Sequence, residues 1–491
     1  MYKKDDGQIT LAEFNSPFGK LDEKNRWAKI ARIIPWQRYE TKYASRFCDD
    51  NGAPAIKFRM AMGTLIIKQR TGHSDEETLQ NIIENPYMQY LIGLLEFTTT
   101  APFSASSITN FRKYITREMI NEINDDLFRH EAERKNGDGK DGGKPQGSDS
   151  QTDQPDGTTH ETNKGTLMLD ATCAPANITY PTDIRLLNES REKLEGMIDV
   201  LHRHTGDGHK PRTYRDEARR KYLQYAKNRK PRKETIRKAI KQQLQYVARD
   251  LKHLDKQLQK VCIEELSNNQ RKWLDTIREL YRQQKRMYET GIHSVENRIV
   301  SIGQPHVRPI VRGKTNAATE FGAKVSISMV NGYAFVDKLD WDAYNEESLL
   351  IPAIEDFNAR YGCYPEAVLA DKLFRNRGNL SYCKNRGIRL SGPRLGRPPK
   401  ETNKAVIAEA RKDSSKRNAI EGKFGEGKTK YGLSRVMARL KGSSETVIAL
   451  SFLSMNISRK IRLINYCFCK LHRFKFFTLF YRKNQVLGVF G

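Results

Sequence analysis

A chain of 491 residues suits roughly two to four folding units, and 86 Lys or Arg against 59 Asp or Glu leave a formal charge of +27. That balance points to a polyanionic partner, with an ordinary basic surface as the bland alternative. The seven cysteines form no CxxC pair, the start MYKKDDGQIT has no apolar leader core, and Lys470, Arg473, Lys475 and Arg482 interrupt the late apolar stretch, so zinc ribbons, disulfide frameworks, secretion and a membrane span are not expected, and a cytoplasmic protein is.

Residues 22–134 read as a run of short helices. Phe58, Met62, Leu65 and Ile66 fall at i, i+4, i+7 and i+8, one apolar face. Ser74-Asp75-Glu76-Glu77 fits a capping box, and Pro86 restarts the chain before YMQYLIGLL. After Ser107 one longer basic amphipathic helix is predicted through ITNFRKYITREMINEINDDLF. A module of this size, taken as residues 1–134, is compatible with DNA binding, although core packing explains its periodicity equally well. Residues 135–165 are predicted to be a flexible linker, because no large apolar residue lies between Lys135 and Lys164 to offset the entropy of ordering.

In TLMLDAT, residues 166–172, the apolar run Leu167-Met168-Leu169 leads directly into Asp170. So short a run suits a buried strand, though periodicity alone does not separate it from a helix segment. A carboxylate at that depth needs a partner, a network or a metal. Asp371, closing the run AVLAD, and Glu421, inside RNAIEGKFGEGK, are candidates to meet it. Three converging acids would make a hard-oxygen site for Mg²⁺ or Mn²⁺ rather than zinc.

Between Pro211 and Lys260 stand 17 Lys or Arg against 5 Asp or Glu. Ile236, Ile240, Leu244, Val247, Leu251, Leu254 and Leu258 form an apolar helical stripe there. A helical hairpin with basic outer faces is predicted, suited to tracking phosphates. His202, His204 and His209 lack an acid or Cys at a spacing that would make a zinc site.

Strand character returns at Lys324 to Val330, and Asn331-Gly332 signals a hairpin into Tyr333 to Leu339. A helix through SLLIPAIEDFNARYG, the strand AVLAD, a basic helix ending near Gly387 and the strand IRLSG complete an α/β pattern with a mixed sheet. Ligands gather at the carboxyl ends of such strands, where Asp371 lies. Arg394 and Arg397 sit in a rigid basic loop suited to phosphate or to a plain surface turn. Arg417, Glu421 and Lys428 share one helix face, within about 60°. The bland reading of Arg417 with Glu421 is an exposed pair contributing about 0.3–0.5 kcal/mol. Gly422, Gly425 and Gly427 weaken that helix by about 1 kcal/mol each, which suggests close approach by another backbone.

On these residues, with YPTDIRLL, VRPIVRGK and LADKLFRNRGN, the chain resembles insertion-sequence DDE transposases of the IS-four/IS-five superfamily. The family's Tyr-x2-Arg-x3-Glu-x6-Lys signature is matched at Arg417, Glu421 and Lys428, while its Tyr position holds Ser414. The resemblance implies an RNase H-like mixed-sheet catalytic domain over 166–462, interrupted by a basic helical insertion at about 185–300 and followed by a basic aromatic tail, 463–491. It implies Asp170, Asp371 and Glu421 as catalytic acids holding two Mg²⁺ or Mn²⁺ ions. It also implies DNA contacts at Arg417 and Lys428 and, as partners, double-stranded DNA of element ends and target, with a homodimer in the DNA complex at the bacterial nucleoid. Asp183 and Glu426 are rival acids, and a non-catalytic DNA-binding protein on a decayed transposase scaffold is the alternative function.

Overall fold

A computed structural model describes residues 10–48, 54–137, 163–206, 208–311, 319–392 and 404–486. Its N-terminal part is helical: α1 (Arg26–Ile33), α2 (Trp36–Ala44), α3 (Phe58–Thr71), α4 (Asp75–Glu84), α5 (Pro86–Leu91), α6 (Ser107–Tyr114) and α7 (Arg117–Gly137). Ser74 caps α4 by accepting the Glu77 backbone N–H at 3.0 Å, and Asn85 caps α5 ahead of Pro86. The single helix expected after Ser107 is two helices. Ile115 turns to extended backbone between α6 and α7, and Thr446 donates to its freed carbonyl at 3.1 Å. The expected linker falls largely outside the described residues.

The rest of the chain runs β1 (Thr166–Pro175), α8 (Asp183–Thr205), α9 (Arg215–Ala226), α10 (Lys233–Leu258), α11 (Asn268–Thr290), β2 (Arg308–Val311), β3 (Thr319–Val330) and β4 (Tyr333–Asp340). It continues through α12 (Leu350–Tyr361), β5 (Ala367–Leu369), α13 (Arg377–Asn385), β6 (Arg389–Leu390), α14 (Lys404–Lys430) and α15 (Lys441–Val486). The sheet order is β2-β3-β1-β5-β6, with β4 also on β3. The β3 pairings are antiparallel, and β1-β5 and β5-β6 are parallel. Asn331 and Gly332 both take positive φ, 51° and 78°, as a two-residue hairpin turn requires.

Side-chain alternation along β1 divides two cores. Leu167 and Leu169 join Leu350, Ile354 and Phe357 of α12 on one face. Met168 packs on the other, where Ile420 and Phe424 of α14 and Phe452 and Met455 of α15 cover Val325, Ile327 and Met329. The segment between β1 and β2 has its own core. Leu187, Leu194, Ile198 and Leu201 of α8 meet Val247 and Leu254 of α10 and Leu274 and Ile277 of α11. This is a bundle rather than the expected hairpin, since α8 and α11 share the α10 stripe. Ile236 and Ile240, at the start of that stripe, are only half-buried. The N-terminal helices are not packed alone either: Leu450, Leu453 and Ile457 of α15 and Tyr333 and Phe335 of β4 complete their core.

Candidate active site

Met168 pairs with Leu369 across the parallel strands β1 and β5, so Asp170 and Asp371 each stand two residues beyond the last paired position. By alternation both lie on the face toward α14. Strand ends are otherwise closed here by side chains. Ser391 Oγ accepts the Ala370 N–H at 3.1 Å, and Arg375 donates to the carbonyls of Leu390 at 2.6 Å and Ser391 at 2.9 Å. These bonds fix the chain on either side of Asp371.

Asp170 is half-buried and Asp371 exposed. Burial pushes the Asp170 carboxyl above the ordinary carboxylate range. The Ala171 N–H, donating at 2.8 Å, and the Arg417 guanidinium work against that rise, while Glu346 and Asp371 add to it by like-charge repulsion. Arg417, reaching from α14, stands 3.7 Å from Asp371 Oδ1, and the Lys372 N–H donates to the same oxygen at 2.7 Å. One guanidinium thus supplies positive charge to two converging carboxylates.

Glu421 lies one helical turn from Arg417, about 6 Å along the axis. It is exposed, because Ile420 and Phe424 occupy the buried stripe of α14. Among the described residues no three His, Cys, Asp or Glu side chains are grouped closely enough to hold a metal ion. The three-carboxylate centre expected from the sequence is therefore represented by a pair, Asp170 with Asp371. Oxygen donors at two strand ends around one cation fit a hard divalent ion, which is commonly held by one or two carboxylates plus water and substrate phosphates. Lys428 is half-buried two turns beyond Glu421, and Arg394 and Arg397 lie outside the described residues.

The rival acids have other work. Asp183 ties the start of α8 to the end of the bundle, accepting from Gln284 at 3.0 Å and Arg298 at 2.8 Å. Glu426 bridges Lys423 at 3.5 Å and Arg462 at 3.0 Å, linking α14 to α15. Sequence reasoning missed Glu346, which faces Asp170 and pairs with Lys324 at 2.7 Å. Its only signal was an acidic doublet after β4, which nothing set apart from an ordinary turn.

The family described as Transposase DDE domain matches residues 368–458, a stretch that includes Asp371, Arg417, Glu421 and Lys428. The family described as Transposase domain (DUF772) matches residues 16–114, the helical N-terminal part. Together these matches support a DDE transposase. An uncharacterized protein, ORF8 in the nfe locus of Rhizobium meliloti, is 28% identical over 174 residues, covering 35% of this chain and 73% of that protein. No solved structure matches. The DDE-domain match begins inside β5 and so leaves out Asp170, whose pairing with Asp371 rests on the β1-β5 register alone. No helix among the described residues is long and apolar enough to cross a membrane.

Proposed function

We propose that this chain is an insertion-sequence transposase of the IS-four/IS-five superfamily, cutting element ends from flanking DNA and joining them to target DNA. The observation that carries the reading is the facing pair Asp170 and Asp371 at the ends of neighbouring parallel strands, with Arg417 of α14 against them. An antiparallel β4-β3-β1 half joined to a parallel β1-β5-β6 half, with the first acid on the central strand, supports an RNase H-like domain. When bound, Mg²⁺ or Mn²⁺ supplies an activated water or DNA 3′-hydroxyl and stabilises the leaving oxygen.

Within this reading Asp170 and Asp371 hold and orient the ion, and Arg417 offsets part of the desolvation that disfavours the Asp170 carboxylate. Arg417 balances the pair before DNA arrives and then holds a phosphate oxygen of the strand. Glu421 is the third acid, exposed toward the substrate side and needed for a second ion. Phosphates of both DNA partners are held mainly by Lys and Arg, and a second copy of the chain serves the second element end.

The test is cleavage of a duplex carrying the element ends, with Mg²⁺ and with a chelator, by the wild type and by Asp170→Asn, Asp371→Asn, Glu421→Gln and Arg417→Ala. The first three lose cleavage by about a thousandfold or more while binding stays near the wild-type value, because affinity comes from phosphate contacts. Arg417→Ala loses both cleavage and part of the binding. Full cleavage by any acid variant removes that acid from the site, and a wild type that binds the ends without ever cutting favours the non-catalytic scaffold.

A further inference from the structure

The bundle between β1 and β2 gathers cations around one exposed ring. Tyr214, at the N-terminal end of α9, has φ of 56° and is 41% exposed. A bulky side chain in the left-handed region is strained, and such strain collects at binding sites. The guanidinium carbon of Arg212 lies 5.0 Å from the ring centroid and that of Arg249, on α10, lies 4.6 Å from it. Arg249 also stands 5.5 Å from the Tyr246 ring, beside Lys221 of α9 at 5.9 Å. The loop before α9, α9 itself and α10 therefore all contribute charge to one patch.

Lys252 and Lys256 extend the patch along α10 and are exposed. His253 between them is held below the usual imidazole range, first by burial and then by Lys256, Arg249 and Lys252, although a hydrogen bond with the Arg212 backbone opposes this. Three neighbouring acids are already engaged, and a fourth, Asp250, is fully buried. Asp199 takes Lys210 at 2.6 Å and Arg215 at 2.7 Å, Glu217 takes Lys221 at 2.6 Å, and Asp255 takes Arg278 at 2.6 Å. Among the described residues neither Arg212 nor Arg249 forms a salt bridge within 4 Å, although Arg249 stands near enough to Asp250 and Glu217 to favour their charged forms. Two guanidiniums held over one ring repel each other, and an anion bridging them removes that cost. Their planar forks suit phosphate oxygens.

We propose that Arg212, Tyr214 and Arg249 form a clamp for the sugar-phosphate backbone of duplex DNA passing over the bundle, an inference that rests on the DNA-transposase reading. Tyr214 acts as the scaffold that presents both arginines at once. The clamp adds affinity without base preference, because it addresses only the backbone.

The experiment titrates the full chain with a mixed-sequence duplex across a salt series. Arg212→Gln with Arg249→Gln lowers the slope of log affinity against log salt by about 1.8, about 0.9 per lost phosphate contact, and weakens binding roughly tenfold or more at low salt. Arg282→Gln is the control, since Arg282 is exposed and already paired with Glu279, and it leaves the slope unchanged. Wild-type slope and affinity in the double variant overturn the clamp. If the double variant does not fold, a photo-crosslinking phenylalanine analogue in place of Tyr214 decides the question: crosslinks to the duplex support the clamp and their absence overturns it. A wild type with a clamp-dependent slope that never cuts DNA would sink the transposase reading and leave the clamp standing.

Discussion

Among the described residues Asp250, fully buried on α10, is a carboxyl neither of whose oxygens has a hydrogen-bond partner. Burial, reinforced by Glu195, raises it to about 8, against the nearby arginines 191, 249 and 215. A carboxyl whose folded value lies above its unfolded value favours the fold fully below the unfolded value, and loses that contribution as pH rises through the folded one. The relevant window therefore runs from about pH 4 to about pH 8. Asp250→Asn is expected to melt above the wild type, by a margin several degrees larger at pH 9 than at pH 5. Thermal melts at the two pH values check this, and a gap independent of pH would contradict it. Asp170 differs in kind, because Arg417 and Asp371 share its environment and, in the proposed site, its charged form would hold the ion.

At the scale of elements, α14 shows how much a sequence can say about a helix. Arg417, Glu421 and Lys428 were legible as one face because helical spacing is a local property. The three glycines were read alike, as marks of close approach by another backbone, and none fits that reading, since only Gly427 is crowded and it is crowded by side chains. A Cβ at Gly427 would meet Leu433 Cδ1 at 2.6 Å, whereas Cβ atoms at Gly422 and Gly425 would enter open space. Gly427→Ala should therefore lower stability by about 1–2 kcal/mol through overpacking. Gly422→Ala and Gly425→Ala should each raise it by up to about 1 kcal/mol. Denaturant titration separates the two outcomes. A loss of cleavage in the stabilised variants would show that DNA passes over that bare stretch beside Glu421. The hairpin at Asn331-Gly332 and the cap at Ser74 were legible for the same local reason as the face of α14. The break at Ile115 was not, since a partner on α15 satisfies it from 331 residues away in sequence. The strand IRLSG was legible too, although only Arg389 and Leu390 of it pair, against β5.

For the whole molecule, α15 is the member that joins the parts. Its Asn456 is fully buried, donating to Ala334 O at 2.6 Å and Asn124 Oδ1 at 2.9 Å, while the Ala334 N–H donates to its amide oxygen at 2.9 Å. One side chain thus ties α7, β4 and α15. A chain beginning at Asn163 would expose Leu450, Leu453, Ile457, Tyr333 and Phe335, and is expected to be insoluble or to lack a cooperative melt. Ending the chain after Tyr466 removes none of those residues, and should leave the melting temperature within a few degrees of the full chain. A soluble, cooperatively melting fragment from Asn163 would contradict this shared core. The sequence alone suggested separate modules, because covalent order puts the N-terminal helices and α15 at opposite ends. The acid pair at the centre of the account is open to one direct measurement on the full chain. Fe²⁺ substituted for Mg²⁺, with ascorbate and peroxide, cuts the backbone beside the ion. Fragments are expected next to residues 170 and 371 and within α14 near Glu421, suppressed by excess Mg²⁺ and absent in Asp371→Asn. Fragments spread evenly along the chain, or centred away from Asp170 and Asp371, would contradict it.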